Sequence, residues 1–175
     1  MTRYHPLLVV LHWLMALMIL GALVAGKVLL ESVPDTDPGK VSGYVNHMTL
    51  GLAIGVLLLL RLGVRLATGA PPHAATGSAA LDRLGVAVHW LFYLVVAAMV
   101  VSGIATARGS GLAGIVFFGA EAPLPELDGL AARSAHGLLS TLLILLILLH
   151  VAAAAWHEAV RKDRLLARMS LGRRG

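Results

Sequence analysis

The stretch Ala135–Trp156, AHGLLSTLLILLILLHVAAAAW, is a continuous apolar run that contains two histidines, His136 and His150. Fourteen residues of α-helix separate these side chains by about 21 Å along the axis and about 40° around it. Both imidazoles therefore leave one face of one helix, near opposite sides of a hydrocarbon core about 30 Å thick. Ionisable side chains at such positions are costly and usually face a bundle interior. The spacing favours two haems stacked beside this helix.

Three other apolar runs reach the length of a membrane span. The four predicted helices cover residues 7–28, 46–66, 84–106 and 135–157, in a chain that is 58% apolar and 13% charged. Runs this continuous favour α-helices, because barrel strands alternate in polarity. We predict an all-α membrane protein, a four-transmembrane-helix bundle in one domain (residues 1–175) with a basic tail at 158–175. The first run resembles a signal peptide, but its length and His12 favour a retained helix.

The basic residues predict the orientation of the bundle. The predicted helices alternate in direction, so the connection between the first and second helices lies on the same side of the membrane as the connection between the third and fourth. Only four of the 14 Lys and Arg residues lie on this side: Lys27, Lys40, Arg108 and Arg133. Because Lys and Arg concentrate on the cytoplasmic side, this poorer side is outer and both termini are cytoplasmic. The basic excess is then explained by topology and lipid headgroups, and we expect no nucleic-acid partner.

The chain contains no cysteine. Disulfides, iron–sulfur clusters and covalent attachment of a c-type haem are therefore excluded. Two of the eight histidines, His5 and His73, lie at a chain end and in a loop, where we expect solvent. The other six lie in or at the edges of the predicted helices: His12, His47, His89, His136, His150 and His157.

Depth in antiparallel helices sorts these histidines into pairs. His12 and His150 fall on the cytoplasmic side of the midplane, and we call them the inner pair. His47 and His136 fall near the outer ends of their helices, and we call them the outer pair. His89 lies within a few ångströms of the depth of His12. Spacing alone therefore leaves open whether His12 or His89 pairs with His150.

Residues beside the histidines suggest further roles. Gly51 and Gly55 follow His47 on one helix face, where small residues permit either close helix packing or the approach of a flat porphyrin. We favour the second reading. His157 lies about 10 Å beyond His150 on nearly the same face. It is either an interfacial histidine or a hydrogen-bonding group for a quinone.

The motifs run from the first helix into the tail: His12-Trp13, His47-x3-Gly51, Arg61-Leu62 with Arg65-Leu66, His89-x3-Tyr93, His136-x13-His150, and Lys162-Asp163-x2-Leu166-x-Arg168-Met169. Together they resemble the prokaryotic cytochrome b561 family over nearly the whole chain. The resemblance implies two non-covalent haems b. It implies that His12 and His150 ligate the inner haem iron. It implies that His47 and His136 ligate the outer one.

These features favour electron transfer in the bacterial inner membrane, between an outer (periplasmic) one-electron donor and the quinone pool. Relatives of this kind imply membrane lipid and a ubiquinone-type quinone as partners, with superoxide as one possible donor. Lys27, Arg108 and Arg133 would attract such an anion, although ordinary helix-end residues have the same appearance. Two alternatives remain: a cytochrome b subunit of a dehydrogenase or hydrogenase complex, and a non-redox histidine-lined transporter of metal ions or protons.

Overall fold

A computed structural model describes residues 3–69 and 78–171 of the chain. Four helices in this range are long and apolar enough to cross a membrane: Pro6–Leu30, Gly39–Thr68, Ala79–Gly109 and Ala131–Arg161. No β-strand occurs among the described residues. The predicted all-α fold with four membrane-spanning helices is confirmed, whereas His73 lies outside the described residues.

Local sequence signals explain how the first two helices begin and end. Helix α1 (Pro6–Val24) starts with proline at its first position, and Nδ1 of the exposed His5 accepts a hydrogen bond from the Leu7 amide at 3.3 Å. It continues as a π-helical segment, Ala25–Leu30. Helix α2 (Gly39–Thr68) ends at Gly69, whose φ of 69° suits glycine. Helix α2 begins at Gly39 and not at the predicted residue 46, so the loop between the first two membrane helices is shorter than the sequence predicted.

The second half of the chain contains two long helices and two short ones. Helix α3 spans Ala79–Gly109, and α5 spans Ala131–Trp156 and continues as a π-helical segment, His157–Arg161. Between them, the apolar middle of the long outer connection forms α4 (Leu112–Phe118), which packs on α2 and α3. After α5, the tail makes only one helical turn, α6 (Leu165–Arg168). It returns to α1, where Trp13 Nε1 donates to the Met169 carbonyl at 2.9 Å.

Helix packing leaves two gaps beside α5. The closest pairs are α3 with α5, α1 with α2, and α2 with α3, whereas neither α1 nor α2 packs closely on α5. A layer of buried apolar side chains fills the middle of the bundle: Met15, Ile54, Leu58, Val95, Val96, Leu143 and Leu146. Only 11–22% of the most apolar part of each long helix is buried within the protein. Much of the remainder is exposed, including large apolar side chains such as Leu17, Leu59 and Leu138, as expected for helices surrounded by lipid.

Candidate cofactor-binding site

The outer pair meets across the gap between α2 and α5. The ring centroids of His47 and His136 lie 6.1 Å apart, with an angle of 81° between the ring planes. Both residues are partly buried. The structure therefore brings together His47 and His136, the two histidines that share a predicted depth in the membrane.

Hydrogen bonds fix the ring of His136. Its Nδ1 lies 3.0 Å from the Met99 carbonyl oxygen and 3.0 Å from Ser102 Oγ, both on α3. A carbonyl can only accept, so Nδ1 carries the proton and Nε2 is left with a lone pair for a metal. By contrast, His47 Nδ1 is buried and has no hydrogen-bond partner among the described residues.

Two glycines lie against the rings of the outer pair. A Cβ atom on Gly26 would come within 2.9 Å of His47 Cε1, and one on Gly103 within 3.2 Å of His136 Cε1. Neither glycine stood out in the sequence, because each acts on a histidine of another helix. Gly26 belongs to the π-helical end of α1, and such segments often occur at functional sites.

The two glycines that the sequence did single out have different surroundings. A Cβ atom on Gly51 would meet nothing within 4 Å, so the space beside this residue is open. A Cβ atom on Gly55 would lie 3.0 Å from Val100 Cγ1. Gly55 thus permits the close approach of α2 to α3.

The inner pair meets across the gap between α1 and α5. The ring centroids of His12 and His150 lie 6.3 Å apart, with an angle of 66° between the planes. His89 on α3 is also near, with its ring centroid 5.7 Å from that of His150. His89 is exposed, and its Nδ1 lies 2.6 Å from the Gly85 carbonyl oxygen. Ring distances alone therefore leave both candidates within reach of His150.

The dimensions of both pairs fit an iron held between two imidazoles. An imidazole nitrogen binds a metal at about 2 Å, so two rings on opposite sides of one iron have centroids about 6 Å apart. A porphyrin also needs space between the helices whose histidines it joins. Neither α1 nor α2 packs closely on α5, so a flat group there would displace fewer contacts than between α3 and α5, which pack directly on each other.

His157 takes part in a second polar group at the inner end of α5. Its Nδ1 lies 2.6 Å from Asp163 Oδ2, and its side chain is 15% exposed. The other carboxylate oxygen, Asp163 Oδ1, is buried and has no hydrogen-bond partner within residues 3–69 and 78–171. Asp163 belongs to a motif noted in the sequence, but its contact with His157 could not be predicted, since the chain must reverse after the π-helical segment to bring the carboxylate back.

The three predicted outer cations differ in their contacts. Arg133 lies close enough to His47 and His136 to act on both electrostatically, and it forms an ion pair with Glu31 at 3.7 Å. Lys27 and Arg108 are exposed at the ends of other helices. Of the three, Arg133 is the cation that the structure associates with the outer pair.

Comparisons with known proteins show which family the chain belongs to. The family model described as prokaryotic cytochrome b561 matches residues 3–172. The chain belongs to the prokaryotic cytochrome b561 family. It is 30% identical to cytochrome b562 of Cereibacter sphaeroides, over 95% of this chain and 94% of that protein. It is 29% identical to the probable superoxide oxidase CybB of Yersinia pestis, over 99% of this chain and 98% of that protein.

Membership of this family has direct consequences for the bundle. A member of a cytochrome b family uses haem b, so the chain is a multi-pass prokaryotic membrane cytochrome that functions in electron transport. Histidines on facing helices, with glycine backbone beside their rings, are suited to such a cofactor.

Proposed function

We propose that this protein carries electrons across the bacterial inner membrane through two non-covalent haems b, from a periplasmic one-electron donor to the quinone pool. The observation that supports this most directly is the pair of histidine sites at opposite ends of α5. Each site spans a gap between helices, and each has the ring separation expected for two axial ligands. The inner pair would hold one haem and the outer pair the other.

Two histidine ligands per iron leave no open coordination position, which favours electron transfer over oxygen activation. Bound haem supplies one-electron chemistry at each site. The chain supplies the positions: α5 holds one histidine at each end, and the buried apolar layer around Met15, Ile54 and Leu143 lies between them.

Helix packing favours His12 over His89 as the partner of His150. His89 and His150 lie on helices that pack directly on each other, so a porphyrin between them would have to separate α3 from α5. His12 lies on α1, which does not pack closely on α5. His89 is then a neighbour of the inner site and not an axial ligand.

Quinone reduction is proposed at the cytoplasmic side, beside His157. A quinone takes up two electrons and two protons to become a quinol, so its site needs a proton route. His157 Nδ1 is held by Asp163 at 2.6 Å, which leaves Nε2 to face a ligand. Exposed Ala153 and half-buried Ala154 lie between His157 and His150 and leave room for a flat ring.

Superoxide is the proposed donor, by analogy with the relative named a probable superoxide oxidase. Two superoxide anions would each give one electron and leave as oxygen, and the two electrons with two protons would convert one quinone to quinol. Arg133 supports this proposal because it lies beside the outer pair, where the part of its charge that the exposed ion pair with Glu31 leaves unbalanced would attract a small anion.

Haem quantification tests the central proposal. A pyridine haemochrome assay on the purified protein should return two haems b per chain, and the reduced-minus-oxidised spectrum should show b-type bands. One haem per chain would contradict the two-site arrangement. A protein without b-type bands would instead be a non-redox transporter.

The donor is tested separately by mixing the oxidised protein with enzymatically generated superoxide. Arg133→Gln should slow haem reduction and weaken its dependence on ionic strength, because a nearby charge that attracts the anion is lost. Arg83→Gln removes the same charge at the inner end and should have no effect. A wild type whose haems superoxide does not reduce would point to another donor, and equal rates in the wild type and both variants would remove Arg133 from the path of the anion.

A further inference from the structure

Arg61 is a cation within a membrane-spanning helix, and its charge has no counter-ion in the described part of the chain. It lies on α2, two turns before the helix ends at Thr68. Its Nη1 donates to the Leu8 carbonyl at 3.1 Å, and the guanidinium lies 5.9 Å from the ring centroid of Tyr93. None of the ion pairs among the described residues includes it. Charges at this depth are costly, and they usually pair or serve a function.

Tyr93 presents a second polar group at the same place. Its hydroxyl oxygen is buried and has no hydrogen-bond partner among the described residues. Buried tyrosine hydroxyls nearly always find a partner. The guanidinium and the hydroxyl are both donors, so the group that would satisfy them is an anion with oxygen acceptors.

Both residues lie beside the inner pair. Arg61 donates to the Leu8 carbonyl, one turn before His12 on α1. Tyr93 is one turn along α3 from His89, and its neighbour Phe92 has its ring centroid 5.4 Å from that of His150. A haem b bound by the inner pair would bring two propionate carboxylates into this region. An anionic lipid headgroup offers similar chemistry, but the Tyr93 hydroxyl is buried inside the bundle, where a lipid headgroup would have to leave the interface.

We propose that Arg61 and Tyr93 bind a propionate of the inner haem and thereby raise the reduction potential of that haem. This inference rests on the proposed function, since it requires a haem at the inner pair. A nearby positive charge stabilises the reduced iron, which carries one electron more than the oxidised iron. The cation beside the outer pair, Arg133, is already partly neutralised by Glu31. Arg61 therefore biases electron flow from the outer site toward the inner one.

Potentiometric titration of the purified holoprotein tests this assignment. In Arg61→Gln, the ratio of oxidised to reduced inner haem at a fixed solution potential should rise about tenfold. This change corresponds to a reduction potential that is lower by about 59 mV for a one-electron couple. The outer haem should keep its potential. Arg65→Gln is the matched control: it removes the same charge one turn further along α2, where the guanidinium lies 5.6 Å from the Trp90 ring centroid. This control should leave both potentials in place.

Resonance Raman spectroscopy separates a direct contact from a general structural effect. Tyr93→Phe removes only the hydroxyl, so the carboxylate bending mode of the inner haem should shift while both haems remain bound. If Arg61→Gln fails to retain the inner haem, Tyr93→Phe decides the question through this mode. An unchanged mode and unchanged potentials in Tyr93→Phe would then overturn the assignment.

The lipid alternative is tested by measuring the haem reduction potentials of the wild type and Arg61→Gln in neutral vesicles and in vesicles that contain phosphatidylglycerol. The same difference in both supports a haem carboxylate. A difference that appears only with phosphatidylglycerol overturns the proposal and assigns Arg61 to a lipid headgroup. A wild type with no haem at the inner pair would contradict the proposed function itself. By contrast, two haems with potentials insensitive to Arg61 would contradict only this inference.

Discussion

The inner and outer ends of the bundle hold their histidine pairs by different means. At the outer end, backbone shape dominates: Gly26 and Gly103 lie against the rings, and the Met99 carbonyl fixes His136. At the inner end, side chains dominate, with His89, Phe92 and Arg61 around the pair. Substitutions at the outer end should therefore disturb ligand geometry. Substitutions at the inner end should change the potential of the site and its coupling to the acceptor.

The largest expected effects come from the histidines themselves. His47→Ala and His136→Ala should each lose the same haem, and His12→Ala and His150→Ala should each lose the other. His89→Ala should retain both, because α3 and α5 leave no gap for a porphyrin between His89 and His150. Haem content per chain and low-temperature difference spectra measure these losses. Loss of a haem in His89→Ala, with none lost in His12→Ala, would reverse the inner assignment.

Gly26→Ala tests whether backbone shape controls the outer pair. The new methyl group would lie 2.9 Å from His47 Cε1, so the ring must turn or α1 must move away from α2. We expect a shifted electron paramagnetic resonance signal from the outer haem, or partial loss of that haem, with the inner signal unchanged. Gly21→Ala is the control on the same helix, since its methyl group would meet Leu50 Cδ2 at an ordinary 3.8 Å. Equal spectra for both variants would remove Gly26 from the site.

The sequence predicted the four spans because hydropathy and length are local properties, and it predicted the histidine pairs because depth follows from residue count. It could not separate His12 from His89, since both have similar depth. Only the packing of α3 on α5 provides a physical distinction. Gly26 and Gly103 were also missed, and so was the contact of Asp163 with His157. Each acts across helices or after a chain reversal, which residue spacing along a single helix cannot reveal.

At the inner end, His157→Ala should slow reoxidation of the haems by a ubiquinone analogue while both haem spectra stay intact. The substitution removes a hydrogen-bonding group and no ligand, and loss of a proton-transfer group costs about 100-fold or more when proton transfer limits the rate. Asp163→Asn should have a smaller effect, because it weakens the 2.6 Å contact that orients His157. Glu158→Gln, on the same π-helical segment and exposed, serves as the control. Unchanged stopped-flow kinetics in His157→Ala would place the quinone elsewhere.

The smallest expected effect concerns Ser102, which refines the claim that the outer pair is controlled by its surroundings. Ser102 Oγ lies 3.0 Å from His136 Nδ1 and donates to the Met99 carbonyl. A hydrogen-bonded Nδ1–H makes an imidazole a more basic ligand and so favours the oxidised metal. Ser102→Ala should therefore raise the potential of the outer haem, by less than about 59 mV because the Met99 carbonyl still accepts from His136.

Ser140→Ala is the control for this prediction. Ser140 lies one turn along α5 from His136, and its hydroxyl donates to the Gly137 carbonyl, so the substitution should leave the potential unchanged. An equal shift in both variants would mean that the change reflects helix packing. A lowered potential in Ser102→Ala would mean that the Ser102 hydroxyl oxygen does not accept a hydrogen bond from His136 Nδ1.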